Sequence, residues 1–310
     1  MDKKYRKWDP MFDSLLQTAI FNHGDNVNVL NEILSYRYED LSLISKLGTP
    51  IEELKEQIFE MEKKNLFFNF KSKIENNINN IKLSIIAEMK RMSPSAGTLI
   101  PYDKYNPVEI AKIYDRNNAT CLSVLTEPKF FGGDFSHMKH IKEAGIKLPI
   151  LCKDFMVTKW QLYFARSRGA DAILIILSAF DYFPKERKKF LNELYEEALK
   201  LNMSIIIEVH TVEEAERALK FKEALIGINN RNLSTLKTDF NATYSINNAL
   251  INFAGPLICE SGIKDKQDVL DINFKTKIKT FLIGESLLKN MDKNSIFSVL
   301  WSKNPYFIDF

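Results

Sequence analysis

GADAILIILSAFDYFPKERKKFLNELYEEALKLNMSIIIEV, residues 169–209, contains one unit of the pattern that decides the fold. Two short runs of mostly Ile, Leu and Val, AILIIL (172–177) and SIIIEV (204–209), flank an amphipathic stretch. Near-continuous apolar runs, as opposed to alternating ones, are what parallel strands buried on both faces require. The unit recurs upstream as LSIIAEM (83–89), TCLSVL (120–125) and PILCKD (149–154). Downstream it returns as ALIGIN (224–229), PLICES (256–261) and KTFLIG (279–284). Helix-start signals lie between the runs. Asn106 precedes Pro107, a capping side chain followed by the residue that needs no N–H at the first helical position. Thr211 is followed by Glu213 and Glu214, acids at the positive end of a helix dipole. Eight strands alternating with helices predict an α/β chain closed as a (β/α)8 barrel, the TIM-barrel architecture. The rival is a doubly wound open sheet, but no G-x-G-x-x-G follows the first strand to favour it.

The segment before the barrel reads as a helical extension. After Asp9-Pro10, the residues Met11, Phe12, Leu15, Leu16, Ala19 and Ile20 recur at helical spacing. Residues 28–46 and 50–66 read as two further helices, the second opened by Thr49-Pro50. The expected division is a leader with a short amphipathic helix at 1–27, a helical extension packed on the barrel at 28–75, and the catalytic barrel at 76–310. The leader's basic residues precede its apolar stripe and do not line the opposite face, so packing on protein is expected over a membrane surface.

Composition narrows the function classes. The 310 residues are 45% hydrophobic and 27% charged, enough for one large core. Forty-three Lys and Arg against 40 Asp and Glu leave a net charge of +3, too slight an excess to imply a nucleic-acid or membrane partner. No stretch approaches ~18 uninterrupted apolar residues, and the N-terminus lacks a secretory pattern, so a cytoplasmic location is expected. Cys121, Cys152 and Cys259 sit far apart in apolar runs. They are expected to be buried free thiols, with no zinc spacing and no disulfide framework.

Polar residues that end buried strands need a reason to be there, and in barrels of this type the C-terminal strand ends build the active site. Those ends carry Glu88 and Lys90 on the first strand, Lys153 on the third and Glu208 on the fifth. The sixth adds Asn229 and Arg231, the seventh Glu260 and Ser261, and Gly284 closes the eighth. Any one of these charges is ordinarily a solvated rim residue. Charges at the same end of several strands, however, converge in space. Glycine turns at ESGI (260–263) and IGES (283–286) would let backbone approach a ligand, the pattern of a phosphate site after strands 7 and 8.

IIAEMKRMSPSAG (85–97) resembles the first-strand signature of the indole-3-glycerol-phosphate synthase family. SVLTEPKFFGG (123–133), LPILCKDFMV (148–157), GADAILII (169–176), IIEVHTVEE (206–214), IGINNRNL (226–233), CESGI (259–263) and FLIGESLL (281–288) resemble that family in the right order, from about residue 28 to 290. The resemblance implies a tryptophan-pathway enzyme without a cofactor or metal, acting on a small phosphorylated substrate as a monomer or weak homodimer. That substrate is 1-(2-carboxyphenylamino)-1-deoxyribulose 5-phosphate, converted to indole-3-glycerol phosphate, carbon dioxide and water. By the same resemblance Lys153 is the general acid and Glu208 the general base. Glu88 and Lys90 are the pair at the substrate carboxylate, and both lysines stay candidates for the dehydration step. Ser93, Asn229, Arg231 and Leu233 are implied to surround the substrate, and Phe131 and Leu174 to contact its anthranilate ring. Ser261, Gly262, Gly284 and Glu285 are implied to hold the phosphate, Glu285 through its backbone N–H.

Closure onto a ketone needs a proton donor, and a desolvated lysine among other cations is expected to have its pKa lowered toward neutrality. His210, two residues past Glu208, invites a catalytic reading, but the turn at Thr211 makes a rim or loop histidine the expectation. The sequence departs from the family pattern at Ala96, where lysine is common, and at Asn232, where aspartate is common. A phosphosugar isomerase would not use the full set of Glu88, Lys90, Lys153 and Glu208. A catalytically silent scaffold barrel would have lost several of them.

Overall fold

The computed structural model describes residues 29–182, 188–232, 235–289, 291 and 295–300. The leader at 1–27, where a short amphipathic helix was expected, and Leu233 lie outside the described residues. Eight parallel strands close into a barrel, as the apolar rhythm predicts. They are β1 (Ser84–Met89), β2 (Cys121–Leu125), β3 (Ile150–Lys153) and β4 (Ala172–Ile176), followed by β5 (Ser204–Val209), β6 (Leu225–Asn229), β7 (Leu257–Glu260) and β8 (Thr280–Ile283). Strand β8 pairs back on β1, so no strand edge is left open. Both faces of the strands are buried, one by the barrel interior and the other by the surrounding helices. The register places chemistry at one level: Leu125 lies opposite Lys153, Ile176 opposite Glu208, and Asn229 opposite Glu260.

The helix caps read from sequence are present. Asn106 Oδ1 accepts from the backbone N–H groups of Val108 and Glu109, each at 3.1 Å. Thr211 Oγ1 accepts from that of Glu214 at 3.2 Å. Three helices precede the barrel among the described residues: α1 (Val29–Leu47), α2 (Ile51–Lys63) and α3 (Phe70–Asn79). Two were expected from the sequence there. The second ends early because Asn65 turns into the left-handed region, at φ 53°. The third is capped by Asn69, which accepts from Ser72 N at 2.8 Å, and it spans the 75/76 boundary drawn from sequence. Phe70 and Ile74 are fully buried, and Lys71 N donates to Ser204 Oγ at 3.1 Å. Asn77 Nδ2 reaches Ser84 Oγ at 3.1 Å and Thr120 Oγ1 at 3.2 Å. Helix α3 thereby closes the barrel at its N-terminal end.

Asp171 fastens the α2–α3 link to the same end. Its buried carboxylate accepts from Lys142 Nζ at 2.6 Å, Phe68 N at 2.7 Å and Ile150 N at 2.9 Å. Helix α1 runs to the opposite end. Arg37, almost fully buried, donates from Nε and Nη2 to the two oxygens of Asp154 at 3.0 and 2.6 Å. The three cysteines are free and buried, as expected. Among the described residues no helix is long and apolar enough to cross a membrane.

Candidate active site

A cavity of about 490 Å³ opens at the C-terminal ends of the strands. Glu88, Lys90, Ser93, Phe131, Lys153, Leu174, Glu208, Asn229, Arg231, Ser261, Gly262, Gly284 and Glu285 all line it. Every described residue singled out in the sequence for the site is therefore brought together. Val29, Leu30 and Ile33 of α1 complete an apolar part of the wall.

Lys153 stands at the centre. Its ammonium lies 2.8 Å from Glu208 Oε2 and 3.3 Å from Glu260 Oε2. Burial alone would lower its pKa. The negative charges of Glu208, Glu260 and Glu88 outweigh burial and hold the pKa well above the usual lysine value. This corrects the expectation of a lysine lowered among cations. Strand alternation and register surround it with carboxylates, so Lys153 is held as a protonated donor.

Glu208 is gripped from three sides. Besides Lys153, Asn229 Nδ2 donates to its Oε1 at 3.1 Å, and His210 Nε2 lies 3.3 Å from the same oxygen. Burial would raise this carboxyl, but Lys153 first and His210 second carry it far below the usual range. His210 lies in the loop after β5, where the sequence reading put it, but its imidazole is largely buried. The turn at Thr211 starts a helix (Val212–Ala218) whose Glu214 folds back, accepting from His210 N at 2.8 Å and standing 3.4 Å from His210 Nδ1. The imidazole is thus clamped between two acids.

Glu260 was visible as a strand-end acid, yet the resemblance assigned it no role. It is fully buried, and burial pushes its carboxyl up to about 7 despite the neighbouring Lys153. Gly227 makes room for it, since a methyl group there would overlap Glu260 Oε1. Gly284 serves Glu88 and Lys90 in the same way: these two pair with each other, and a Cβ at 284 would meet both. Gly227, in the middle of β6, and Gly284, just past β8, thus give space to side chains.

The far side of the cavity is built of turns. Ser261 and Gly262 both take positive φ, 66° and 89°, so the chain bends sharply where β7 ends. A non-glycine residue held there marks a backbone conformation fixed by its surroundings. Asn230 supplies part of that constraint: its Nδ2 donates to the carbonyls of Glu260 at 2.9 Å and Ser261 at 3.2 Å. Arg231 donates from Nη1 to Leu236 O at 2.7 Å and still lines the cavity. Glu285 opens the short helix Glu285–Lys289 and is occupied by Lys289 at 2.6 Å. Its side chain is thus engaged away from any anion that its backbone would meet.

The apolar side is set by Glu127, which accepts from Lys129, Phe130 and Phe131 N at 2.9, 2.7 and 3.0 Å. That cap orients Phe131, whose ring lies 6.3 Å from that of Phe155. Ser93 Oγ accepts from Ala96 N at 3.2 Å, tightening the loop after β1. Asn232, the other departure, closes its own loop by accepting from Thr235 N at 2.9 Å. A site of this kind offers an ammonium beside carboxyl groups, an apolar wall and a cradle of turns. It can move protons at a polar centre while an aromatic group and an anion are held on either side.

Comparison with known proteins agrees with this geometry. Residues 30–299 match the family model described as indole-3-glycerol phosphate synthase. The indole-3-glycerol phosphate synthase of Trichodesmium erythraeum is 35% identical over 283 residues, 89% of this chain and 90% of that protein. That of Aquifex aeolicus is 34% identical over 278 residues, 89% of this chain and 95% of that protein. Among solved structures, the tryptophan synthase alpha chain of Legionella pneumophila aligns at TM-score 0.55 over 77% of this chain and 99% of its own. At 11% identity that likeness bears on the barrel alone. Model and relatives agree, and the chain belongs to the indole-3-glycerol phosphate synthase family.

Proposed function

We propose that this chain is an indole-3-glycerol-phosphate synthase, a carbon–carbon carboxy-lyase acting on 1-(2-carboxyphenylamino)-1-deoxyribulose 5-phosphate. The observation that carries the reading is the Lys153 ammonium held between Glu208 and Glu260 in a cavity with apolar and anion-accepting sides. The substrate's aromatic ring lies against Phe131 and Leu174, and its phosphate against the turns at Ser261, Gly262, Gly284 and Glu285. Arg231, Asn229 and Ser93 contact the chain between them.

Ring closure joins the carboxylate-bearing ring carbon to the ketone carbon. As that bond forms, the ketone oxygen takes a proton from Lys153, so no free alkoxide develops. Carbon dioxide then leaves the same ring carbon, and the electrons of the broken bond restore aromaticity. In the last step the methylene carbon beside nitrogen gives a proton to Glu208, and the C–O bond at the newly joined carbon breaks. The hydroxyl leaves as water with a proton from Lys90, or from Lys153 once solvent has reprotonated it, so that the indole double bond forms. Glu88 and Lys90 bracket the substrate carboxylate until it departs. The Lys153–Glu208 contact supports this sequence, because one proton donor and one acceptor already face a shared cavity.

The test is direct. Purified protein given the carboxyphenylamino-deoxyribulose phosphate should release carbon dioxide and form a product with indole fluorescence. Protein that is folded and yields neither product would overturn the reading.

A further inference from the structure

His210 lies outside the substrate set just described, yet it is built into the site from behind. It does not line the cavity, and its side chain is only 11% exposed. Its Nε2, buried and without an aligned hydrogen-bond partner, stands at ion-pair distance, 3.3 Å, from Glu208 Oε1, the oxygen that Asn229 also engages, while Lys153 holds Oε2. On its other side, Nδ1 stands 3.4 Å from Glu214 Oε2, and that same oxygen accepts from the His210 backbone N–H at 2.8 Å. Thr211 Oγ1 caps Glu214 N at 3.2 Å, fixing the anchor in turn.

We propose that His210 is a positioning residue that pins the Glu208 carboxylate against the cavity, with Glu214 as its own anchor. The inference rests on the reading of Glu208 as the general base. Among the described residues Glu208 has one charged anchor inside the cavity, Lys153, beside the neutral amide of Asn229, and the proton of Lys153 is consumed at the ketone during the reaction. A second donor outside the cavity keeps Glu208 in place after Lys153 has given its proton up. An imidazole can bond two acceptors at once only when both ring nitrogens carry hydrogen. Burial would oppose that state, but Glu208 and Glu214 outweigh it and push the ring pKa up to about 9. Among the described residues these two acids are the titratable groups against the ring. Arg217, on the same helix as Glu214, is engaged with Asp181 at 2.8 Å.

The experiment compares kcat and KM for wild type, His210→Gln, His210→Leu and Glu208→Gln, with circular dichroism on each. Glutamine places an N–H near the position of Nε2, whereas leucine has similar bulk and no donor. His210→Leu should lower kcat by about tenfold to a hundredfold, the scale of a misplaced catalytic group. KM should stay within about twofold of wild type, and His210→Gln should recover most of the rate. Equal losses in the two variants, or wild-type kcat in His210→Leu, would overturn the proposal. Nitrogen-15 NMR on the wild-type protein gives an answer that needs no variant to fold. An imidazolium signal for His210 is expected at pH 7, and a neutral ring there would also overturn it. Full activity in Glu208→Gln would instead refute the underlying assignment of the base, a result separate from any outcome at His210.

Discussion

Replacing Arg37 with methionine tests how the α1 helix is tied to the catalytic strand. Arg37 and Asp154 have side chains 1% and 0% exposed, so neither can turn to water when its partner is lost. The methionine keeps the apolar stem and removes two hydrogen bonds, of 3.0 and 2.6 Å, from Asp154. Thr126 Oγ1 at 2.5 Å and Phe155 N at 2.8 Å remain, both neutral, and cannot balance the buried charge. Breaking a buried pair from one side costs about 3–5 kcal/mol. At about 2 °C per kcal/mol for a chain of this size, Tm should fall by roughly 6–10 °C. The double variant Arg37→Met/Asp154→Asn removes both charges, so in urea unfolding it should regain about 2 kcal/mol or more over Arg37→Met. The single variant should also raise KM, since Val29, Leu30 and Ile33 on the same helix line the cavity. A single variant within about 1 kcal/mol of wild type would refute the argument. So would a double variant destabilised by the sum of the two single changes.

Gly227→Ala should drive the Glu260 carboxylate away from Lys153, lowering kcat by about a hundredfold as measured by indole fluorescence, while overpacking costs about 1–3 kcal/mol. Asp171→Ala should leave the ammonium of Lys142 buried and unpaired at the barrel's closed end, costing about 3–5 kcal/mol in urea unfolding. The folded-state pKa of His210 is raised from 6.5 to about 9, so its contribution is fully present below pH 6.5 and is lost as pH rises through about 9. That linkage amounts to about 3 kcal/mol, and the fall in Tm over this window should flatten in His210→Gln.

The barrel was legible because parallel strands covered on both sides leave an uninterrupted apolar signature. All eight runs from 83–89 to 279–284 became strands. The rim was legible for a related reason: a charge that ends such a run, like Lys153 or Glu208, has no place in the core and must face the strand end. Other features depend on partners far away in the chain and left no local sign. Arg37 meets Asp154 across 117 positions, and nothing around 37 announces it. Helix α3 was hidden because Phe70 and Ile74 are its only fully buried hydrophobes, too few for a strong periodic stripe. His210 lies in the loop where the sequence put it, but its ion pairs left no local sign, because they depend on Glu214 folding back across the turn at Thr211. The direction of the Lys153 shift depends on three strands supplying carboxylates at one level, which spacing along the chain does not encode.

Kinetics of Lys153→Ala and Glu208→Gln, each alone and combined, measure the proton-transfer pair most directly. Each single variant should keep its circular dichroism while kcat falls by about a thousandfold or more. The combined variant should be little worse than either single one, because groups that act as a unit lose their effect together. Folded Lys153→Ala or Glu208→Gln protein turning over at near wild-type kcat would contradict the account.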